Sequence, residues 1–154
     1  MKVSFVVNNL GASQLSHEII EFGNKITQDD GIPLLVFFDQ MHRHPQQILF
    51  STMNIVEAYN YGGLFITTSV DITQRTLSFP CSKKVLFYIW DLEWIRSQQP
   101  YAYWAEIYRN PNLKLIARNA EYAGVISTSF NTPVHYVCQD FKYESLREII
   151  LENI

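Results

Sequence analysis

The sequence predicts one α/β domain, a three-layer α/β/α sandwich around a mostly parallel sheet of six or seven strands. Short apolar runs alternate with amphipathic stretches through all 154 residues, and this alternation calls for crossover helices between parallel strands. No linker or shift in composition interrupts the pattern, and domains usually run to roughly 100–200 residues. We therefore expect residues 1–154 to form a single Rossmann-like domain.

The first half of the chain predicts a strand, a helix and several shorter elements. Residues 3–7 are a continuous β-branched and aromatic run, typical of a strand covered on both faces. The next apolar residues recur at steps of four, three and four, and so share one helical stripe. They are Leu15, Ile19, Phe22 and Ile26. The shorter elements are strands at 34–38, 47–50 and 64–68, of which the second is expected at a sheet edge, and a helix at 54–59.

The second half continues the alternation. Asp71 is expected to cap a helix, with Gln74 at capping-box spacing. Residues 84–90 are the strongest strand pattern of the sequence, and Asn119 is a typical N-cap for a later helix. Five residues of that helix fall on one face: Tyr122, Val125, Ile126, Ser129 and Phe130. The remaining elements are strands at 113–117 and 134–137, a helix at 101–108, and a closing helix that carries Leu146, Ile149 and Ile150.

Composition excludes several classes of protein. Twelve Lys and Arg residues stand against fifteen Asp and Glu residues, and Lys83-Lys84 is the only basic doublet, so we expect no nucleic-acid partner. No apolar run approaches the ~20 residues of a membrane helix, and the first residues lack a signal peptide, which predicts a cytoplasmic protein without a membrane span. Cys81 and Cys138 lie far apart and are expected to be structural thiols. His42 and His44 have no third ligand nearby, so we expect no metal and no cofactor.

In an open parallel sheet, ligands bind beyond the carboxyl ends of the strands, where the strand order reverses. The loop after the first strand supplies six candidate ligand-binding residues: Asn8, Asn9, Gly11, Ala12, Ser13 and Gln14. Backbone amides at the start of the following helix suit an anion such as phosphate. The alternative is a tight turn with polar capping residues. A single glycine here argues against a dinucleotide, whose pyrophosphate needs the glycines of G-x-G-x-x-G.

Two acids and two tryptophans follow the strongest strand directly. Asp91 and Glu93 are candidate catalytic residues, as a general base or as acceptors of a ligand hydroxyl, and Trp94 is a candidate stacking platform for a sugar or base. In the alternative interpretation, the tryptophans anchor the core and the acids cap helices. Asn119 follows the next strand and is also a candidate ligand-binding residue.

The helix at 101–108 is aromatic on nearly all sides, which predicts an exposed apolar patch and a partner. Its candidate interface residues are Tyr101, Tyr103, Trp104 and Tyr108. A homodimer or a second protein is the expected partner, and a lid over a pocket is the alternative.

Four segments resemble the N-terminal half of GT-B glycosyltransferases: residues 2–13, 88–91, 115–122 and 134–140. In that family the first loop faces the interdomain cleft and approaches the acceptor or donor phosphate; here Trp90 stands where the family often has a histidine before the acid. The chain also resembles short glycosyltransferase-like proteins of tailed phages of marine cyanobacteria, which implies the host cytoplasm. The family's donor-binding C-terminal domain, with its basic pair and E-x7-E element, is expected to be missing from this chain.

The resemblance implies a glycosyltransferase-like protein that binds a sugar acceptor or a nucleotide sugar, inactive unless paired with a second chain. A different class remains open, because the aromatic helix also fits a non-catalytic homodimeric interaction module that acts on a host protein. A flavodoxin-like nucleotide binder or hydrolase is a third hypothesis, against which the missing phosphate-loop glycines argue.

Overall fold

A computed structural model describes residues 2–41, 44–81 and 83–154 and contains a seven-stranded sheet in which every strand is parallel to its neighbours. The strands are β1 (Val3–Val7), β2 (Leu34–Phe38), β3 (Ser51–Asn54), β4 (Gly63–Thr67), β5 (Lys83–Ile89), β6 (Leu113–Ala117) and β7 (Tyr136–Val137). Their order across the sheet is β3-β2-β1-β4-β5-β6-β7. The predicted fold class, a three-layer α/β/α sandwich with a Rossmann-like sheet, is confirmed.

Helices cover both faces of the sheet. They are α1 (Gln14–Asp29), α2 (Val70–Leu77), α3 (Tyr101–Tyr108), α4 (Ala120–Phe130) and α5 (Tyr143–Asn153), with 3-10 helices at Ile55–Asn60, Glu93–Arg96 and Gln139–Phe141. One apolar core joins α1 and α5 to the sheet. Two further clusters join α2, α3, α4 and the first 3-10 helix to the opposite face. Among the described residues, none of the helices has the length and apolar character needed to cross a membrane.

Continuous burial explains why the central strands were predictable. Each residue of β1 and β2 is buried, as expected of parallel strands with helices above and below. The helical stripe of α1 is also confirmed, because Ile19, Phe22 and Ile26 are buried against the sheet. These elements were visible in the sequence because their burial is uniform along the strand or periodic along the helix.

The edge strand lies four residues later than predicted. The apolar residues of 47–50 do not pair with β2, because this segment is tied to α1 instead. Asn24 holds its backbone, donating from Nδ2 to the carbonyl of Gln47 (2.8 Å) and accepting the N–H of Leu49 (2.8 Å), and Phe50 is buried beside α1. The edge strand that pairs with the outer side of β2 is Ser51–Asn54, and all four of its residues are exposed. The last strand is also shorter than the predicted 134–137.

Close packing of α1 makes its central glycine sensitive to substitution. A Cβ atom on Gly23 would lie 2.5 Å from Phe50 Cε1 and 2.8 Å from Leu34 Cδ2, and both of these side chains are buried. Gly124 on α4 is a matched control, because a Cβ atom there would have nothing within 4 Å.

We predict that Gly23→Ala lowers the free energy of unfolding by about 1–3 kcal/mol through overpacking. Gly124→Ala should raise it by up to about 1 kcal/mol, because alanine is the better helix former. Urea denaturation of the two variants measures both effects. Equal stability changes would show that α1 has room at Gly23.

Candidate functional site

The strand order reverses between β1 and β4, and in open parallel sheets the carboxyl ends of the strands at such a reversal generally border a crevice. Asn8, which follows β1, donates from Nδ2 to Asp71 Oδ2 (2.9 Å). Ser69 lies between them, with Oγ 2.8 Å from both Asn8 Oδ1 and Asp71 Oδ1, and its single hydrogen can go to either. Side chains 61 and 63 residues apart in sequence thus form one polar network across the crevice.

Glu93 borders this network from the β5 side. The N–H of Val70, in the first turn of α2, donates to Glu93 Oε2 at 2.8 Å. Ser69 is the N-cap residue of α2, and its side chain makes no capping bond. The predicted capping box of Asp71 and Gln74 is therefore wrong, because the cap comes from a distant loop that sequence spacing cannot reveal.

The surroundings of Glu93 favour its neutral form. The pKa of Glu93 is raised to about 7 as the net result of several causes: burial raises it most, the Val70 N–H lowers it, and the nearby carboxylates of Asp71 and Asp91 also raise it. A carboxyl group with this pKa exists in both protonation states near neutral pH. It can accept or donate a proton at the rim of the crevice.

Three arginines that the structure describes along this edge of the sheet are paired with carboxylates. Three ion pairs are formed: Arg75 with Asp39 (2.9 Å), Arg96 with Asp91 (3.3 Å) and Arg118 with Asp140 (2.6 Å). Each pair is at least partly exposed, and pairs of this kind contribute only about 0–1 kcal/mol. Their main consequence is electrostatic, because a phosphate at this edge would compete with a carboxylate for each of these three arginines.

The carboxyl ends of β5 and β6 are joined by Arg118. Its guanidinium group stacks 3.7 Å from the ring centroid of Trp90 and donates to the carbonyl of Trp90 (3.4 Å). The hydrogen bonds from Arg118 and from Gln139 lower the pKa of Asp140. Asn119 caps α4 as predicted, since its Oδ1 accepts the N–H of Tyr122 (2.8 Å). Its role in ligand binding stays a prediction.

The loop before α1 is a capped turn. Asn9 Oδ1 accepts the N–H of Gly11 (2.9 Å), and Ser13 is the N-cap of α1, accepting the N–H of Ser16 (3.1 Å). Gln14 donates to Glu18 one turn later (2.7 Å), while Ala12 is exposed. The side chains of Asn9 and Ser13 thus accept backbone N–H groups of this segment, as the alternative interpretation of a tight turn with capping residues expects. Anion binding here stays a prediction.

The two tryptophans after β5 pack on opposite faces of the sheet. Trp90 contacts Phe141 (5.9 Å between ring centroids) in the core beneath α1 and α5. Trp94 packs edge-on against Tyr108 (5.2 Å) and Phe130 (4.9 Å) on the other face. Asp91 accepts the N–H of Leu92 (3.0 Å) and pairs with Arg96 at the surface. Both tryptophans therefore anchor the core and Glu93 caps a helix, while Glu93 also borders the crevice.

Half of the predicted aromatic interface is buried within the chain. Trp104 is 7% exposed and Tyr108 is 1% exposed, because both pack between α3 and the sheet. The expectation that these two side chains belong to an exposed patch is wrong. Tyr101 is 57% exposed and Tyr103 is partly buried, so the surface part of α3 is its first turn.

Sequence reasoning missed two features of this edge. The rule that ligands bind beyond the strand ends selects residues 69–71, but it assigns Ser69 no role, because a lone serine after a strand carries no further pattern. A cavity of about 440 Å³ also opens on the α1 side, at the ends of β1, β2 and β3, with Leu10, Phe38 and Ile48 among its lining residues. Its apolar residues come from segments that are far apart in sequence, so their proximity depends on the strand order.

The described residues contain neither a metal-ligating cluster nor a disulfide. Within residues 2–41, 44–81 and 83–154, no group of three or more His, Cys, Asp or Glu side chains could hold a metal ion. His42, one of the two histidines considered above, lies outside the described residues. Cys138 is buried, and no disulfide links it to Cys81.

The chain matches no protein-family model, no curated protein and no solved structure. The resemblance to GT-B glycosyltransferases therefore stays a prediction that depends on the four sequence segments. The Rossmann-like topology and the polar network at the crevice are independent of it.

The raised pKa of Glu93 predicts a pH-dependent stability. The pKa of an unfolded glutamate is 4.5, whereas that of folded Glu93 is about 7. The folded state therefore binds more protons than the unfolded state at pH values between these two pKa values. The stabilising contribution of protonated Glu93 is complete below pH 4.5 and is lost as the pH rises through about 7. We expect the free energy of unfolding of Glu93→Gln to depend less on pH over this interval than that of the wild type.

Urea denaturation at several pH values, with the difference taken between wild type and variant, isolates this effect from His135, whose pKa burial lowers. A difference that does not change with pH would mean that Glu93 is already ionised at the lower end of the interval.

Proposed function

We propose that the chain is a glycosyltransferase-like domain that binds a sugar acceptor in the crevice between the carboxyl ends of β1 and β4. Glu93 accepts the hydrogen of an acceptor hydroxyl. The observation that carries the proposal is the position of Glu93: a partly buried carboxyl, with its pKa raised to about 7, adjoining the Asn8–Ser69–Asp71 network.

The composition of the network suits a ligand that carries several hydroxyl groups. Asn8 offers an amide that donates and accepts, Ser69 a hydroxyl, and Asp71 two acceptor oxygens. Sugar hydroxyls both donate and accept, so they can replace the hydrogen bonds that these side chains now make with one another. A small set of polar groups that converge on a crevice is typical of small-molecule sites.

Charge favours the acceptor over the nucleotide sugar. Asp71, Asp91 and Glu93 lie at or beside the crevice, and each of the three arginines described above is paired with a carboxylate. Transfer from a nucleotide sugar needs positive charge to stabilise the departing diphosphate. The proposal is therefore acceptor binding and hydroxyl activation, with the donor site supplied by another domain or chain.

Isothermal titration calorimetry with a panel of methyl glycosides and nucleotide sugars tests the proposal. We expect saturable binding of at least one neutral glycoside, and no tighter binding of the corresponding nucleotide sugar. Glu93→Gln should weaken binding by about tenfold, because a buried, charge-assisted hydrogen bond is lost. Glu152→Gln is the matched control, since Glu152 is exposed on α5, on the opposite face of the sheet.

Three results would contradict the proposal. The first is that no neutral glycoside binds. The second is that a nucleotide sugar binds more tightly than the corresponding glycoside. The third is that Glu152→Gln weakens binding as much as Glu93→Gln does.

A non-catalytic interaction module is the second candidate function. Ile95 and Tyr101 are 64% and 57% exposed, and both lie in the stretch between Glu93 and the end of α3. Exposed apolar side chains of this size favour a protein contact when they are contiguous. Sedimentation equilibrium tests this candidate: a homodimer that Ile95→Asp dissociates supports it, and a monomer at high concentration contradicts it.

A further inference from the structure

The outer edge of β3 is open. One side of Ser51–Asn54 pairs with β2, and on its other side no strand of the described structure adjoins it. All four of its residues are exposed. The N–H and C=O groups on such an edge can pair with a further strand. The opposite edge of the sheet is β7, which has only the two residues Tyr136–Val137, so β3 is the longer of the two edges.

Exposed apolar side chains cluster around β3. The structure describes ten exposed large apolar side chains, and four of them lie between positions 49 and 59: Leu49, Met53, Val56 and Tyr59. Between 39% and 58% of each of these four side chains is exposed. Single apolar residues are ordinary on a protein surface, whereas a contiguous group of them marks an interaction site.

These side chains border the open edge on both faces of the sheet. Met53 is in register with Phe37, and residues paired in this way point to the same face. That face is covered by α2 and by the 3-10 helix Ile55–Asn60, which carries two more of the four side chains. Leu49 lies on the opposite face, because a side chain of α1 accepts its N–H. A strand that approaches β3 therefore meets apolar groups above and below the main chain.

Charge is almost absent from this surface. Most of residues 45–62 are at least partly exposed, yet Glu57 is the only charged residue among them, whereas 18% of the whole chain is charged. The cores of protein interfaces are depleted of charged residues in the same way. A strongly charged surface would repel its own copy, and this one does not. It also offers a charged partner almost no group to pair with, so a second copy of the chain fits it best.

We propose that β3 pairs antiparallel with β3 of a second copy of this chain, across a twofold axis perpendicular to the sheet. The pairing joins the two seven-stranded sheets into one. Assembly stops at two molecules, because each copy has used its β3 edge. The inference goes beyond the proposed function, since the crevice lies where β1 adjoins β4 and not at this edge.

Symmetry also restricts the register of the pairing. The axis keeps the α1 sides of both copies on one face, and opposed residues of antiparallel strands point to the same face. The axis must therefore pass through the position of one residue and not between two. Met53 is the only large apolar residue of β3, and an axis at Met53 brings the two methionine side chains into contact.

Sedimentation equilibrium of the full chain tests the pairing. We expect a reversible equilibrium between monomer and dimer. Met53→Lys should raise the dissociation constant by at least about tenfold, because it places like charges opposite each other on an edge strand. Met53→Leu is the matched control and should stay within about threefold of the wild type, because it keeps an apolar side chain of similar volume. Both substitutions are at an exposed position, so the urea midpoints of the two monomers should agree.

A disulfide across the axis tests the register. Opposed residues of antiparallel strands have Cα atoms about 4.5–5.5 Å apart, a separation that a disulfide spans. Met53→Cys should give a covalent dimer on mild oxidation, detected on a non-reducing gel. The wild type measures the background from Cys81 and Cys138. Ile95→Cys is the control for random collision, because Ile95 is also exposed.

Four results would overturn the inference. The first is a protein that stays monomeric at every concentration, and the second is assembly beyond the dimer. The third is a dimer that Ile95→Asp dissociates and Met53→Lys does not, which assigns the contact to the first turn of α3. The fourth is that Met53→Cys gives no more covalent dimer than Ile95→Cys. None of these results depends on glycoside binding, so the inference and the proposed function fail separately.

Discussion

Seven strands that all run in one direction cannot be joined by hairpins, and this constraint shapes the rest of the molecule. Each connection must pass over a face of the sheet, so both faces are covered and the central strands are apolar throughout. The strand order reverses between β1 and β4, and at such a reversal the loops that follow the two strands generally leave a gap. Asn8, Ser69 and Asp71 face one another at the carboxyl ends of these strands.

Glu93 is held there by two opposing effects. The N–H of Val70, which donates to Glu93 from the first turn of α2, and the start of that helix favour a negative charge on Glu93. Burial and two neighbouring carboxylates oppose that charge. The balance leaves the group able to change protonation near neutrality. The same arrangement couples chemistry to structure, because the side chain that borders the crevice also caps the helix at its edge.

The sequence predicted what depends on short-range patterns. Burial on two faces made β1 and β2 recognisable, and the periodicity of Ile19, Phe22 and Ile26 located α1. The edge strand was misplaced because Asn24, more than twenty residues away, ties down the apolar segment before it. At the site, Asp91, Glu93 and Trp94 were selected as candidates because they directly follow a strong strand pattern. The hydrogen bond from Val70 to Glu93, and the burial of Trp104 and Tyr108, depend on contacts between distant segments that no local pattern records.

The exposed edge strand β3 has a consequence for the behaviour of the protein at high concentration. On the outer side of Ser51–Asn54 the main chain has no neighbouring strand in the described structure, and no charged side chain or proline blocks the approach of another strand. Natural sheets often protect such edges with lysine or proline; here the protection is the strand's length of four residues. Longer pairing along this edge would therefore seed edge-to-edge growth of sheets from molecule to molecule, which the short, polar strand β3 opposes.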